Sequence, residues 1–203
     1  MLSIRIVAMV VALLLPTSLL AQGWTEYIDR TDRFSVNFPG QPTIRDTTYP
    51  PQRGAPLEAR VFTVQDGPRV YSLTVVNLSG LARPSDVKGS VAWEARNFRK
   101  RGGEITYDAF AQVDNMDGHQ LHITNPDKSL TVVGIYLHAR RLYILEADVP
   151  PDTPGAVHFQ QSLIILDEDG KRIRYELDAD GNRLFRITNL DGILLTSGER
   201  LGR

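Results

Sequence analysis

Arg33-Phe34-Ser35-Val36-Asn37-Phe38-Pro39-Gly40 is the stretch of the chain that decides the fold. Its apolar and polar residues alternate, so Phe34, Val36 and Phe38 fall on one face of a strand. Pro39 and Gly40 end the strand, because neither residue continues a regular ladder easily. We therefore expect a half-buried strand to open the fold, with its aromatic face on the core.

The next segment predicts a loop and then a hairpin. Gln41 to Pro56 is rich in Pro, Thr and Gly and shows little periodicity, so we expect a loop draped over the sheet. Its length makes it the first place to look for a partner site. Arg60 to Val64 and Val70 to Asn77 are β-branched runs, and Asp66-Gly67 between them supplies the positive φ of a hairpin turn.

From Asp86 to Arg101 the apolar residues recur every three or four positions instead of every second one, which predicts one amphipathic helix. Ser85 or Asp86 can cap its start, and Gly102 stands where a C′ glycine belongs. The apolar stripe consists of Val87, Val91, Ala95 and Phe98.

Four strand-like runs follow the helix, and short connections make them antiparallel neighbours. They are Glu104 to Val113, His119 to Thr124, Ser129 to Leu137 and Leu142 to Asp148, with breaks at Asp117-Gly118, Asn125-Pro126-Asp127 and His138 to Arg141. Ala156 to Gln161 predicts a short helix that leads into a last strand, Ser162 to Leu166. The predicted fold class is α+β, a mainly antiparallel sheet flanked by helices.

The C-terminal tail, residues 167–203, repeats an Asp-Gly or Asn-Leu-Asp-Gly turn with glycines eleven residues apart. Alternation between the turns predicts a β-meander. A calcium loop is the alternative, with Asp167, Asp169 and Glu176 as ligands. Ile165 stands where the first carboxylate should be, and strands replace the flanking helices, so we favour the meander.

The N-terminus predicts an export signal over Met1 to Ala21. Arg5 precedes the apolar run Ile6 to Leu15, which is shorter than the roughly 20 residues that span a bilayer. Cleavage between Ala21 and Gln22 fits the small residue before the cut, although Leu19 is bulky for its position. The expected organisation is a signal (1–21), an α+β domain (22–166) and the tail (167–203), and the mature protein would be periplasmic or extracellular.

Charge and cysteine content exclude several function classes. The 23 Lys and Arg less Arg5 leave 22 against 24 Asp and Glu, a mature net charge of −2, so nucleic acid is not an expected partner. The chain has no cysteine, which removes disulfides, thiolate catalysis and lipid attachment at a processed Cys. We expect burial alone to stabilise the domain.

The histidines and the catalytic motifs give no strong site. His119 and His122 have a metal-like spacing, but residues three apart on a strand point to opposite faces. His138 and His158 have no carboxylate or serine at a suggestive local spacing. The chain contains no G-x-S-x-G, no G-x-x-x-x-G-K and no H-E-x-x-H. We therefore predict no catalytic residue, no metal and no cofactor.

A basic cluster closes the predicted helix and has two interpretations. It consists of Arg96, Arg99, Lys100 and Arg101. Cations near the C-terminal carbonyls of a helix are favourable by a few tenths of a kcal/mol each, which explains them without a ligand. Docking to an anionic surface is the alternative that remains open.

The chain resembles a group of exported bacterial proteins whose domain is similar to the PsbP-like α/β/α sandwich. The resemblance rests on Trp24, Tyr27, the block from Arg33 to Pro42 and Phe159-Gln160-Gln161-Ser162-Leu163, and it extends over about Trp24 to Leu166 as an order of elements. That superfamily includes extrinsic subunits of the photosynthetic oxygen-evolving complex and small binding or assembly proteins. The resemblance implies a non-enzymatic accessory role and carries over no catalytic residue.

Three functions are therefore compared. The first is an extracytoplasmic accessory protein that binds a protein or a small ligand. The second is a hydrolase-like enzyme whose catalytic residues come together only in the folded protein. A His and a carboxylate within hydrogen-bond distance of each other in a pocket would support it. The third is an envelope component that assembles through the free strand edges of its tail.

Overall fold

A computed structural model describes residues 23–114, 116–154, 156–177, 183–188 and 194–195. The predicted signal and its cleavage point between Ala21 and Gln22 lie outside these residues. The elements in chain order are β1 (Thr25–Asp29), β2 (Phe34–Phe38), β3 (Thr43–Tyr49), β4 (Leu57–Asp66), β5 (Arg69–Asn77), α1 (Pro84–Lys100), β6 (Glu104–Val113), β7 (Met116–Thr124), β8 (Leu130–His138), β9 (Arg141–Val149), α2 (Ala156–Gln160), β10 (Ile164–Ile165), β11 (Arg172–Leu177), β12 (Arg183–Thr188) and β13 (Leu194–Leu195).

A seven-stranded antiparallel sheet forms the middle layer, in the order β3-β4-β5-β9-β8-β7-β6. Its strands alternate between two apolar clusters, because successive side chains point to opposite faces. Leu145 of β9, for example, lies in one cluster and Ile144 in the other. The predicted fold class, an antiparallel sheet flanked by helices, is confirmed.

One face of the sheet is covered by α2 and by a small sheet, β1-β2-β10. Phe34, Val36 and Phe38 of β2 are fully buried there, as the opening alternation predicts. Trp24 packs edge-on against Tyr71, with ring centroids 5.0 Å apart. The predicted aromatic face therefore does lie on the core.

The other face is covered by α1, whose buried stripe includes Val87, Ala95 and Phe98, while Val91 packs at its margin. Gly102, with φ of 97°, follows the helix at the predicted C′ position. The predicted cap is wrong, because the N-cap is Arg83 and Pro84 begins the helix. Proline suits that position, since its missing N–H would have no partner in the first turn.

Two further predictions about the strands are wrong. The fold opens with β1, which pairs with β2 from Thr25↔Phe38 to Asp29↔Phe34. The segment 41–56 is only partly a loop, since β3 pairs with β4 along its whole length. Most of β3 is exposed on both faces, and an edge strand of that kind leaves no alternation in the sequence.

The break predicted at Asp117-Gly118 is also wrong, because both residues lie inside β7. A Cβ on Gly118 would lie 2.2 Å from Cδ1 of Tyr136 and 2.5 Å from the carbonyl oxygen of Ile135. This glycine therefore allows a close approach of β7 to β8 rather than a turn. Asp114, with φ of 49°, lies in the turn before β7.

The tail contains a three-stranded antiparallel sheet, β11-β12-β13, while its predicted turns at 178–182 and 189–193 lie outside the described residues. The start of the tail contacts the domain. Ile173 is buried in the cluster beneath α2, and the Arg172 guanidinium lies 3.2 Å from Asp114 Oδ1. Leu166 and Arg172 form an isolated bridge that joins the two segments.

Candidate functional site

A groove of about 560 Å³ lies between α1 and the strands at one end of the large sheet. We call it the α1/β6 groove. Its helix wall consists of Lys88, Val91, Ala92, Ala95 and Arg99, and its sheet wall of Phe110, Asp117, Gly118, His119 and Leu137. The helix residues recur at intervals of three and four, which places them on one side of α1. Small side chains in the middle of that wall leave the groove open and largely apolar.

Phe110 stands at the rim of the groove and is 91% exposed. Six large apolar side chains are exposed among those that the structure describes, and three of them, Ile105, Tyr107 and Phe110, belong to β6. A single exposed apolar residue is ordinary on a protein surface, but a cluster marks an interaction site more often. The apolar surface available to a partner is therefore concentrated on β6 and the adjoining groove.

A polar cluster closes one end of the groove and ties β6 to α1. The guanidinium of Arg99 donates from Nε to Asp108 Oδ2 (2.6 Å) and from Nη2 to Asp108 Oδ1 (2.7 Å). Asp108 Oδ1 also lies 2.5 Å from Nε2 of His119. Because an ionised carboxylate only accepts, we assign the Nε2 proton of His119 to this contact. The hydrogen bond from Arg99 is the main reason that the pKa of Asp108 is lowered to about 2.

A second concavity, of about 490 Å³, is polar and is occupied by the protein's own ion pairs. Arg60 donates from Nη1 to Asp32 Oδ2 at 2.8 Å and approaches Asp29 and Asp46 at 3.6 and 3.7 Å. Burial raises the pKa of Asp32, and the Arg60 charge opposes that shift. The arrangement fastens the β1-β2 turn to the sheet, so we regard it as structural.

The two central histidines face opposite sides of the sheet, as the strand spacing predicts. His119 contacts Arg99 of α1, whereas Nε2 of His122 lies 3.3 Å from Oε1 of Gln160 in α2. His158 packs edge-on against Trp24 with ring centroids 5.4 Å apart, and His138 ends β8. The four histidines do not converge.

The basic helix end is largely used within the protein. Arg99 pairs with Asp108, and Arg101 lies over the ring of Phe98 and pairs with Glu146. Lys100 lies over the Trp93 ring at 5.9 Å. These contacts favour the structural interpretation for Arg99, Lys100 and Arg101, whereas Arg96 is exposed.

The ligands of the alternative calcium loop occupy a turn and a strand. Asp167 Oδ1 accepts hydrogen bonds from the backbone N–H groups of Asp169 and Lys171, at 2.9 and 2.8 Å. Glu176 belongs to β11, but its side chain is not among those described. Within the described part of the chain, no group of three or more His, Asp or Glu side chains is placed to hold a metal ion. Asp167 therefore has a turn-forming role, and the calcium alternative stays a prediction.

Phe110 and Asp108 are the site residues that sequence reasoning missed. Both lie in the predicted strand Glu104 to Val113, and from Tyr107 onwards the apolar residues fall at odd positions. Phe110 is out of phase with that pattern, because it shares a face with Asp108 and Gln112. A large aromatic residue on the polar face of a strand was the available signal.

No protein-family model matches the chain, and no curated protein matches it significantly. Among solved structures, the chain is similar to the solution structure of cyanobacterial PsbP (CyanoP) from Synechocystis sp. PCC 6803, with 12% sequence identity and a TM-score of 0.48. The match covers 73% of this chain and 95% of that chain. A likeness of this degree establishes neither a family nor a function.

In the part of the chain that the structure describes, no helix is both long enough and apolar enough to cross a membrane.

Proposed function

We propose that the protein is an exported accessory protein that binds a partner through the α1/β6 groove and performs no covalent chemistry. One observation carries the proposal: an open, largely apolar groove lies beside a strand that exposes three large apolar side chains. Concave apolar sites with a few convergent polar groups are where proteins most often bind ligands. The predicted signal supports an extracytoplasmic location, and the sequence resemblance to the PsbP-like group implies an accessory role.

Site-specific photocrosslinking tests this proposal. Phe110 is replaced by the photoreactive residue p-benzoylphenylalanine, and the exported protein is irradiated in its native envelope. We expect a discrete adduct from position 110. Ile44, which is exposed on β3 at the opposite edge of the sheet, carries the same probe as a control and should give none. Equal adducts from both positions, or none from position 110, would remove the groove from consideration.

A blocking variant separates binding in the groove from chance proximity. Ala92 lines the groove and is exposed, so the ring of Ala92→Trp can fill the groove without displacing the core. We expect this variant to suppress the adduct from position 110. Ala82 is also exposed but does not line the groove, and Ala82→Trp should leave the adduct unchanged.

A hydrolase is the second candidate, because His119 and Asp108 meet the geometric condition for a spatially assembled site. Two features weigh against it. The His119 side chain is only 8% exposed, and none of the described residues that line the groove carries a hydroxyl or a thiol. With p-nitrophenyl acetate and p-nitrophenyl phosphate as probes, we expect the same rate for the wild type and His119→Asn. Hydrolysis that is lost in His119→Asn would favour the hydrolase over the accessory protein.

A further inference from the structure

The outer side of β6 is a free sheet edge. β6 is the terminal strand of the large sheet and pairs, among the described strands, with β7 alone. A terminal strand presents a row of backbone N–H and C=O groups to its open side, and the group that matches such a row is another strand. From Tyr107↔His122 to Val113↔Met116 the pairing is continuous, and the single register shift lies before it, between Ile105 and Tyr107.

From Tyr107 to Val113 this edge has few of the features that usually prevent strand addition. Natural edges are often protected by lysine, proline or an inward charge. β6 contains no Lys, Arg or Pro. Its central charge, Asp108, is engaged by Arg99 on the side of α1. The regular part of the edge therefore carries no lysine, arginine or proline and is flanked by apolar side chains.

The two faces of β6 define what a strand added there would meet. Asp108, Phe110 and Gln112 lie on the α1 side, since Phe110 is the register partner of His119. Tyr107, Ala109 and Ala111 lie on the other side. Alternate residues of an added strand would thus lie over the α1/β6 groove, where an apolar side chain can enter it.

The charge on the helix wall of the groove favours a carboxylate on the partner. Lys88 lines the groove and Arg96 is exposed on the same helix, and neither forms an ion pair with any residue that the structure describes. On the sheet side, Asp108 is paired with Arg99, whereas Asp117 accepts a hydrogen bond from the neutral amide of Gln112, which leaves its carboxylate charged. The positive charge is therefore confined to the helix wall, where a carboxylate of the partner would complement it.

We infer that β6 receives an extended acidic segment of a partner polypeptide as an eighth strand, with an apolar side chain of that segment in the α1/β6 groove and a carboxylate directed toward α1. The inference rests on the proposed function, because it names the class of partner for the same groove. It adds that main-chain pairing with β6, and not the groove alone, holds the partner.

The test uses a defined fluorescent peptide, Ser-Val-Glu-Val-Phe-Val-Glu-Val-Ser, titrated with mature protein in an anisotropy assay. Alternation puts its Phe and both Glu residues on one face. We expect saturable binding. Replacing both Glu by Lys should weaken binding by roughly three- to ten-fold, the range of two exposed ion pairs.

Backbone methylation decides whether pairing is through the main chain. One version of the peptide is N-methylated at odd positions and another at even positions. In a strand only every second N–H faces a given neighbour, so one version should lose binding and the other should keep it. Equal binding by both versions, or no saturable binding by the parent peptide, would overturn the inference.

Protein variants complete the test and separate it from the proposed function. Phe110→Lys should abolish binding of the peptide, whereas Ile44→Lys on the other edge should not change it, and circular dichroism checks that both are folded. If position 110 gives an adduct but both N-methylated peptides bind equally well, the groove remains a binding site and strand addition is refuted. A dimer in sedimentation experiments that the peptide dissociates would assign the edge to a second copy, and so would also refute the partner class.

Discussion

The two edges of the large sheet differ in their capacity to accept another strand. β3, at one edge, carries Arg45 and Asp46 and is bounded by Pro42 and Pro50. β6, at the other edge, carries Glu104 and Asp108, the second of which is paired with Arg99, but it has neither lysine, arginine nor proline and exposes Phe110 almost fully. Basic side chains and proline hinder the pairing of an edge strand, and exposed apolar side chains favour it. One sheet therefore has a protected edge and an open one.

Both edges are nevertheless fastened to the same helix. Tyr49 at the end of β3 donates to Glu94 of α1 at 2.6 Å, and Asp108 of β6 accepts from Arg99 of α1. Both edges are thus held in place, the β3 edge by a buried hydrogen bond and the β6 edge by a partly exposed ion pair. An edge that is fixed before its partner arrives loses less conformational entropy on binding.

The largest expected effect is the loss of the close packing behind β6. Gly118→Ala would place a Cβ 2.2 Å from the ring of Tyr136, a residue that is 1% exposed and whose hydroxyl accepts from Gln120. We expect the free energy of unfolding to fall by about 3 kcal/mol, measured by urea denaturation. β4, the strand behind β3, contains no glycine and has no equivalent weak point.

Gly89→Ala is the matched control for that substitution. Gly89 lies inside α1, and a Cβ there would have no atom within 4 Å. Alanine should raise the free energy of unfolding by roughly 0.5–1 kcal/mol, because glycine is a poor helix former. Equal effects of the two substitutions would contradict the assigned role of Gly118.

The next largest effect is expected at β3, where a hydrogen bond attaches the edge strand to α1. Tyr49→Phe removes the hydroxyl that donates to the buried carboxylate of Glu94, which, among the described residues, then keeps only the 3.2 Å contact from Asn97. We expect a loss of about 1.5 kcal/mol at neutral pH. Burial, and then the bond to Glu94, raise the pKa of Tyr49 well above its ordinary value. The native state therefore keeps this proton above pH 10 while the unfolded chain releases it.

The sign of the pH dependence follows from that difference. Wild-type stability should include a contribution from Tyr49 that is present below pH 10 and declines as the pH rises above it. The difference in unfolding free energy between wild type and Tyr49→Phe should therefore shrink between pH 8 and pH 11. A constant difference over that range would show that Tyr49 titrates alike in both states.

The sequence predicted the buried strands well because each carries apolar residues on one face, as in β2, or on both faces, as in β8. Phe34, Val36 and Phe38 alternate, and all three lie in the core. Edge strands do not leave such a pattern. β3 is exposed on both faces, so its residues look like a loop, and only pairing with β4 makes it a strand.

The groove could not be predicted, because its walls come from four separate elements, α1, β6, β7 and β8. Asp108 lies nine residues from Arg99 and eleven from His119, and no spacing rule brings these three together. Their meeting depends on the register of β6 with β7 and on the position of α1 above them. Only Phe110, out of phase in its strand, was visible in the sequence as unusual.

A smaller effect is expected at the fastening of the open edge. Asp108→Asn should lower the free energy of unfolding by about 1 kcal/mol at neutral pH, since the pair with Arg99 is partly exposed. The pKa of Asp108 is lowered to about 2, chiefly by Arg99, so its contribution is present above pH 4 and is lost as the pH falls toward 2. The variant should lack that part of the acid dependence in urea denaturation.

Asp66→Asn provides the control for this prediction. Asp66 pairs with Arg69 at 3.0 Å in the β4-β5 hairpin, and both side chains are more exposed than those of the Asp108 pair. Exposed pairs contribute little, so we expect a change below about 0.5 kcal/mol. If both variants behave alike, the Asp108 pair does not fasten β6.

The last two variants should change the stability of the protein least and strand pairing between molecules most. Phe110→Lys places a lysine on the β6 edge, which should hinder strand pairing. The double substitution Arg45→Val and Asp46→Val removes both charges from β3, which should allow strand pairing. All three positions are exposed, so each protein should unfold within about 0.5 kcal/mol of the wild type. Aggregation under mild agitation, followed by light scattering, should be slower for the first protein and faster for the second. Because the stabilities are similar, a difference in aggregation rate would reflect the sheet edges. If both proteins aggregate at the wild-type rate, edge composition does not control pairing in this sheet.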